Sequence, residues 1–159
     1  MITAMVLTIS DRASAGIYQD ESGPLLSAGL SEQGYKVIQS VLVPDDVDKI
    51  SSAISSALAL EVRLIVTTGG TGISERDVTP EATVQFIEKM LPGFSEALRA
   101  LGRKVNAKSD LTRGLAGING KSLIINLPGS LGGVRDGLVI IGALAGHIFD
   151  QLDGGEHVK

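Results

Sequence analysis

The feature of the sequence that most limits its fold is the alternation of short apolar runs with segments of helical period. Four runs rich in Val and Ile are apolar enough to be covered on both faces, as strands of a parallel sheet are. They span Ala4 to Ile9, Lys36 to Val43, Arg63 to Thr68 and Ser122 to Leu127. Alternation of such strands with helices predicts one parallel sheet with helices on both of its faces.

Helical periodicity predicts four helices between and after these strands. They are a helix with its apolar stripe at Ile50, Ala53, Ile54, Ala57 and Leu58, a helix from Pro80 to about Leu91 with Thr79 as N-cap, a helix beginning near Phe94, and a helix from near Gly133 to about Leu152. The centre of the last helix is apolar nearly all round, which fits either deep burial or a subunit contact. Residues 1–152 are therefore predicted to form one domain, followed by a mobile tail at 153–159.

Composition excludes several classes of protein. The 159 residues contain no cysteine, which rules out disulfides, thiolate metal sites and a Cys nucleophile, and two histidines make a His-based zinc site improbable. A net charge of -4 and 3% aromatic residues argue against a nucleic-acid surface. The apolar run LVIIGALAG at Leu138 is too short to span a membrane, and the first residues do not resemble a signal peptide. We therefore expect a cytoplasmic protein.

Four unusual loops follow the four predicted strands, and the carboxyl ends of parallel strands share one edge of a sheet. The loops are SDRASAG (Ser10 to Gly16), PDD (Pro44 to Asp46), GGTGISERD (Gly69 to Asp77) and PGSLGG (Pro128 to Gly133). Ligands of open α/β sheets bind at this edge. The three glycines within Gly69 to Gly72 suit either a tight turn or a cradle of N–H groups for phosphate, and the second glycine-rich loop favours the cradle. A Walker A loop ending at Gly120, Lys121 and Ser122 would need glycine where Leu115 stands. A dinucleotide fingerprint in the first loop would need glycine where Glu75 stands.

Charged residues in these loops have two interpretations each. Asp77 beside a phosphate site requires a bridging cation, unless it only orders the start of the helix at Thr79. Asp45 and Asp46 precede a helix, so one is predicted to cap it while the other faces the ligand. Four basic residues could bind anionic groups or could be ordinary surface charges: Arg12, Arg76, Lys108 and Arg113.

The loop sequences resemble, in order along the chain, those of the MogA/MoaB family of molybdenum-cofactor biosynthesis proteins, whose domain also occurs in gephyrin. The matching motifs are SDRASAGIYQDESG, VPDD, TTGGTGISERDVTPEAT, LTRGLAGI and NLPGS, and the resemblance runs from about Met5 to about Gln151. SDRASAG with YQDESG is similar to the MogA branch, the molybdopterin adenylyltransferases.

The resemblance implies a single three-layer α/β/α domain with a mostly parallel central sheet, usually assembled as a homotrimer. It implies transfer of AMP from Mg-ATP to the terminal phosphate of molybdopterin, with hand-over of the product to a molybdenum-insertion enzyme. The implied catalytic and Mg²⁺-binding acids are Asp45 and Asp77. The implied nucleotide- and substrate-binding residues are Ser10, Asp11, Arg12, Gly69, Gly70, Thr71, Gly72, Thr112, Arg113, Asn126, Pro128, Gly129 and Ser130.

This chain departs from many relatives at two places. Thr112 stands where many have Ser before the Arg, which keeps the hydroxyl, and SLGG follows NLPG where many have a nearby Pro. Two other functions fit parts of the pattern: a non-catalytic molybdopterin carrier or scaffold of the MoaB type, and an unrelated nucleotide hydrolase. The hydrolase is disfavoured because the chain lacks a P-loop and an obvious water-activating base.

Overall fold

The computed structural model describes residues 1–155, which form a six-stranded sheet with the strand order β2-β1-β3-β6-β5-β4. The strands are β1 (Thr3–Ile9), β2 (Lys36–Val43), β3 (Leu64–Thr68), β4 (Lys89–Met90), β5 (Ala116–Asn119) and β6 (Ser122–Leu127). Strands β2, β1, β3 and β6 run parallel, while β5 and β4 run antiparallel to their neighbours. The four predicted strands and the mostly parallel sheet are thus confirmed.

Helices cover both faces of this sheet, which gives the predicted three layers. They are α1 (Asp11–Ser14), α2 (Ser22–Glu32), α3 (Val47–Ala59), α4 (Thr79–Val84), α5 (Pro92–Arg103), a 3-10 helix (Ala107–Leu111) and α6 (Leu131–Leu152). On one face, the sheet packs against buried residues of α2, α5 and α6 such as Leu26, Phe94 and Ile141. On the other face, it packs against residues of α3 and α4 such as Ile50 and Ala82. The alternating side-chain directions of the central strands supply both cores.

The helix predicted from Pro80 to about Leu91 is wrong at both ends. Val78, not Thr79, is its N-cap, and the helix ends at Val84. Beyond it, the N–H of Glu88 donates to the carbonyl of Ile118 over 2.8 Å, so the chain continues as the short edge strand β4. Pairing with β5 therefore overrides the local helical period.

The antiparallel hairpin of β5 and β6 is a feature that periodicity did not predict. Asn119 pairs with Ser122 across the hairpin, so the turn consists of Gly120 and Lys121, and Gly120 has a φ of 53°. Glycine at the first position of a two-residue hairpin turn adopts such a positive φ without steric cost.

The long C-terminal helix α6 has one buried face and one exposed face. Val134, Ile141 and Phe149 are buried in the core, whereas Val139 is 61% and Leu144 41% exposed. By length and composition alone, α6 is also long and apolar enough to cross a membrane, a property that apolar core helices share. After α6, Asp153 forms ion pairs with Arg63 and Lys121, which ties the first residue of the predicted tail to the domain. The mobility predicted for 156–159 lies outside the described residues.

Candidate active site

The four loops at the carboxyl edge of the parallel strands surround one cavity of about 840 Å³. Each loop contributes to the wall, as the parallel sheet predicts. The end of α5 and the 3-10 helix complete the cavity with Leu98, Val105, Lys108 and Leu111. The cavity therefore combines a polar wall of strand-end loops with a partly apolar wall.

The glycine-rich loop after β3 has a backbone that only glycine adopts readily. Gly69 and Gly70 have φ values of 103° and 66°. A Cβ at Gly69 would lie 2.1 Å from the carbonyl oxygen of Ile9, and one at Gly70 would lie 2.2 Å from Thr79 Oγ1. The close packing of the loop on β1 and α4 thus requires glycine at both positions, independently of any ligand.

The carbonyl groups of Gly69 to Gly72 are all held by donors of the protein. Thr79 donates its Oγ1 hydroxyl to the Gly69 oxygen over 2.9 Å and its N–H to the Gly70 oxygen over 3.1 Å. Arg113 donates its main-chain N–H to the Thr71 oxygen over 2.8 Å and its Nε to the Gly72 oxygen over 2.7 Å. By contrast, the N–H groups of Gly70, Thr71 and Gly72 have no acceptor within residues 1–155. The loop therefore offers hydrogen-bond donors, the polarity that an anion needs.

Arg113 contacts this loop but does not line the cavity. Besides its contacts to the loop carbonyls, its Nη2 donates to the Asp77 carbonyl over 2.9 Å, and its Nη1 forms an ion pair with Glu81. That hydrogen bond is the main reason why the pKa of Glu81 lies below its usual value. In this structure Arg113 orders the loop, and the anion contact predicted for it stays a prediction.

Asp45 and Asp46 differ in position: one lines the cavity and the other caps a helix. The side chain of Asp46 caps α3 by accepting a hydrogen bond from the N–H of Lys49 over 2.9 Å. Asp45 lines the cavity, and its Oδ2 accepts a hydrogen bond from the N–H of Asp11 over 2.9 Å. Burial raises the pKa of Asp45, and the negative charges of Asp11 and Asp77 raise it further.

Asp77 lies on the cavity wall at the end of the glycine-rich loop. Its Oδ2 accepts hydrogen bonds from the N–H and the hydroxyl of Ser74, at 3.0 and 2.8 Å. Its Oδ1 has no hydrogen-bond partner within residues 1–155. One oxygen of Asp77 is therefore anchored and the other is available to a ligand.

The acids suit a cation that also binds substrate phosphate. Within residues 1–155, no group of three or more His, Cys, Asp or Glu side chains could hold a metal ion alone. Mg²⁺ typically uses one or two carboxylates, completed by water and phosphate oxygens. Asp45 and Asp77, both on the cavity wall, are the residues that could hold such an ion. Burial raises the pKa of Asp45 most, and a cation would relieve the repulsion from Asp11 and Asp77 that raises it further.

Arg12, Arg76 and Tyr18 also line the cavity. The Arg76 guanidinium donates to Asp11 and, through this hydrogen bond, lowers the pKa of that carboxyl group. Arg12 lies over the ring of Tyr18, 5.5 Å from its centroid, and Tyr18 Oη lies 2.9 Å from Ser10 Oγ. Tyr18 is a wall residue that sequence reasoning did not select, although it lies in the quoted motif YQDESG and is half exposed.

The structure brings together thirteen of the fifteen predicted site residues. Those on the cavity wall are Ser10, Asp11, Arg12, Asp45, Gly69, Gly70, Thr71, Gly72, Asp77, Thr112, Pro128, Gly129 and Ser130. Arg113 and Asn126 lie outside the wall. The buried amide of Asn126 donates to Thr67 and Thr83 and accepts from the N–H of Leu115, so it joins β6 to its neighbours. Its predicted ligand contact stays a prediction.

Together, the fold and the site define an α/β/α domain that presents donors for an anion and a pair of carboxylates at the carboxyl edge of its sheet. The chain belongs to the family of probable molybdopterin binding domains, which matches residues 5–146. The family resemblance inferred from the loop motifs is thus confirmed.

Relatives with known names agree with this family. The chain is 46% identical over 134 residues to a molybdopterin adenylyltransferase of Helicobacter pylori, covering 82% of this chain and 76% of that protein. The solved structure of the molybdopterin biosynthesis Mog protein from Mycobacterium ulcerans superposes with a TM-score of 0.91 and 40% identity, covering 96% of this chain and 99% of that one. The molybdopterin biosynthesis enzyme MoaB from Thermus thermophilus superposes with a TM-score of 0.89 and 34% identity, covering 97% of this chain and 98% of that one. The fold alone therefore does not separate the two branches.

Proposed function

We propose that this protein is a molybdopterin adenylyltransferase, which transfers AMP from ATP to the terminal phosphate of molybdopterin and releases pyrophosphate. The observation that carries the proposal is the polarity of the glycine-rich segment 69–72: its carbonyls are engaged by Thr79 and Arg113, and the N–H groups of residues 70–72 remain for phosphate. Similarity to named adenylyltransferases supports the same substrates.

The reaction requires alignment and charge neutralisation more than a nucleophilic side chain. An oxygen of the terminal phosphate of molybdopterin attacks the α-phosphorus of ATP. The new P–O bond forms as the bond from the α-phosphorus to the bridging oxygen breaks, and pyrophosphate leaves with that electron pair. Positioning and electrostatic stabilisation dominate phosphoryl-type transfers, so a site without cysteine suits this chemistry.

Each part of the cavity has a task in this scheme. The free N–H groups of Gly70 to Gly72 bind the triphosphate, and Asp45 with Asp77 would hold Mg²⁺. The ion, when bound, neutralises charge on the phosphates and on the leaving pyrophosphate. Thr112 and the loop Pro128 to Ser130 form the molybdopterin side, and Lys108 supplies a cation on the same wall.

Assembly and location are part of the proposal. The exposed apolar face of α6, with Val139 and Leu144, fits a subunit contact in a homotrimer. A sedimentation mass near the 16.5 kDa of one chain at micromolar concentration would contradict the trimer. We also propose a cytoplasmic location and hand-over of the adenylylated product to a molybdenum-insertion enzyme.

Isotope transfer tests the activity directly. ATP labelled at the α-phosphate is incubated with the protein, Mg²⁺ and molybdopterin, and the products are separated. We expect the label on molybdopterin, released again as AMP by a phosphodiesterase. Binding of molybdopterin without label transfer would favour the carrier or scaffold function, and labelled AMP formed without molybdopterin would favour a hydrolase.

A further inference from the structure

Arg76 connects the ends of three different strands at the cavity. It lies in the loop after β3, and its Nε and Nη2 donate to the two carboxylate oxygens of Asp11, after β1, over 2.8 and 3.0 Å. The same Nη2 donates to the main-chain carbonyl of Asp45, after β2, over 2.9 Å. One guanidinium group therefore spans all three loops.

Asp11 and Asp45 are also joined to each other by a reciprocal pair of hydrogen bonds. The N–H of Asp11 donates to Asp45 Oδ2, and the N–H of Asp45 donates to Asp11 Oδ1, both over 2.9 Å. Both oxygens of Asp11 are thus engaged by the protein. Asp45 keeps its Oδ1, which lies close enough to Gly70 to be 2.9 Å from a Cβ built there. Asp11 is placed to orient Asp45 rather than to bind a ligand.

We infer that Arg76 and Asp11 form a positioning clamp that fixes Asp45 relative to the glycine-rich loop and Asp77. This inference deepens the proposed function and rests on it for its kinetic consequences. Asp45 and Asp77 lie in loops after different strands. Arg76, which directly precedes Asp77, joins these two loops through its hydrogen bond to the Asp45 carbonyl. The alternative is that Arg76 contacts a phosphate of the substrate through its Nη1, which has no hydrogen-bond partner within residues 1–155.

We expect the clamp to contribute little to the free energy of unfolding of the protein. The side chains of Arg76 and Asp11 are 66% and 37% exposed. Ion pairs at such exposure contribute little to the free energy of unfolding. Partners that orient metal-binding carboxylates nonetheless typically cost about 10- to 100-fold in affinity or activity when they are removed. A large kinetic effect with a small stability effect therefore distinguishes positioning from general destabilisation.

The first experiment measures hydrogen exchange of the Asp11 and Asp45 amides in the free protein, for wild type and Arg76→Gln. These two N–H groups form the reciprocal pair, so their exchange reports the clamp without substrate or metal. We expect both to exchange at least about tenfold faster in the variant, since local opening governs their protection. Unchanged exchange at both amides would overturn the clamp, whether or not the protein transfers AMP.

A matched control is Arg63→Gln. Arg63 likewise donates to a main-chain carbonyl, that of Lys121, and to a carboxylate, that of Asp153, but at the opposite edge of the sheet. We expect this variant to lose stability without faster exchange at Asp11 or Asp45. Faster exchange there in both variants would indicate general loosening and would overturn the specific role of Arg76.

The second experiment is a double-mutant cycle of Arg76→Gln and Asp11→Asn, measured by AMP transfer. If the two residues act as one clamp, the double variant loses about as much in kcat as the more damaging single variant. Arg76→Lys, which keeps the charge but cannot reach both partners as a fork, is expected to recover part of the rate. If Arg76 contacts phosphate instead, its loss raises the KM for Mg-ATP and multiplies with the loss from Asp11→Asn, which would overturn the inference. Absence of transfer by the wild type would refute the proposed function, while the exchange measurement would still decide the clamp.

Discussion

The two glycine-rich loops of the cavity, 69–77 and 128–133, have similar composition and are built in different ways. The first takes its shape from distant residues: Thr79 and Arg113 hold its carbonyls, and two of its glycines have positive φ. The second is mainly a helix start, in which the Ser130 hydroxyl accepts a hydrogen bond from the N–H of Gly133 over 3.0 Å. The loops meet closely, since a Cβ on Gly129 would lie 3.2 Å from the Cα of Gly69.

The comparison shows that glycine content alone does not identify the functional loop. Loop 69–77 carries Asp77, contains the free N–H groups of Gly70 to Gly72 on the cavity wall and depends on tertiary contacts for its shape. Loop 128–133 obtains its geometry mostly from its own sequence through an N-cap, with a further hydrogen bond from Thr68 Oγ1 to the Pro128 carbonyl. We therefore expect the shape of the first loop to depend on its glycines and on distant contacts, and that of the second to depend mainly on its N-cap.

The largest expected effect is on kcat, and it distinguishes Asp45 from the adjacent Asp46. Asp45→Asn removes a charge that the site needs, so we expect kcat to fall by at least about 100-fold, as for other charge-stabilising groups. Its stability should not fall, because burial and like charges already penalise the ionised form. The matched control is Asp46→Asn, since Asn caps a helix about as well as Asp and Asp46 only caps α3. Equal loss of activity in both variants would contradict the assignment of Asp45.

A glycine substitution in each loop tests their different construction. Gly69→Ala places a methyl group against the Ile9 carbonyl at a φ that disfavours alanine, so we expect a loss of at least about 2 kcal/mol in the free energy of unfolding. Gly132→Ala, in the first turn of α6, meets nothing within 4 Å and should change stability by about 1 kcal/mol or less in the stabilising direction. Urea denaturation of both variants is the measurement. Similar losses would show that the two loops are not built differently.

A smaller effect is expected at the N-cap of the second loop. Ser130→Ala should cost about 1 kcal/mol in the free energy of unfolding because the N–H of Gly133 loses its acceptor. Ser130→Asn should retain the cap and stability. If AMP transfer falls only in the destabilised Ser130→Ala variant, Ser130 acts as a cap. Loss of transfer in the stable Ser130→Asn variant would instead support the ligand contact predicted for the Ser130 hydroxyl.

The smallest effect concerns the ion pair behind the first loop. Arg113 lowers the pKa of Glu81 below its usual 4.5, so the folded state binds a proton there less readily than the unfolded state. The stabilisation is therefore present above pH 4.5 and is lost as the pH falls through the folded pKa of Glu81. Because the pair is half exposed, it should amount to less than about 1 kcal/mol.

Thermal unfolding of wild type and Glu81→Gln over a pH series measures this contribution. The difference between the two proteins should be greatest near neutral pH and should shrink in acid. A difference that stays constant down to the lowest pH would contradict the role of the ion pair.

The sequence predicts the part of the fold that depends on local patterns. Four apolar runs become the parallel strands, and the stripe at Ile50 and Ile54 becomes α3. Helix α2 was not predicted, because Gly23, Pro24 and Gly29 weaken its helical pattern. Strand β4 and the early end of α4 could not be predicted either, since they depend on pairing with β5, some thirty residues away along the chain.

The candidate site likewise has features that the sequence could predict and features that it could not. Parallel strands dictate that the four loops converge, so the residues of these loops could be predicted from the sequence. The sequence could not show that Arg76 contacts Asp11 or that Arg113 lies behind the loop, because the partners are separated by 65 and 41 positions. Asn126 illustrates the same limit: a polar residue beside the NLPG motif turns out to bond Thr67 and Thr83 within the core.

In the proposed function, loop 69–77 and Asp77 form a site for AMP transfer to molybdopterin. The most direct test measures pyrophosphate release from Mg-ATP, with and without molybdopterin, for wild type and Asp77→Asn. We predict release that requires molybdopterin and falls by at least about 100-fold in a variant that remains folded. Release at the wild-type rate by Asp77→Asn would contradict the role of this acid, and no release by the wild type with molybdopterin bound would contradict the proposed activity.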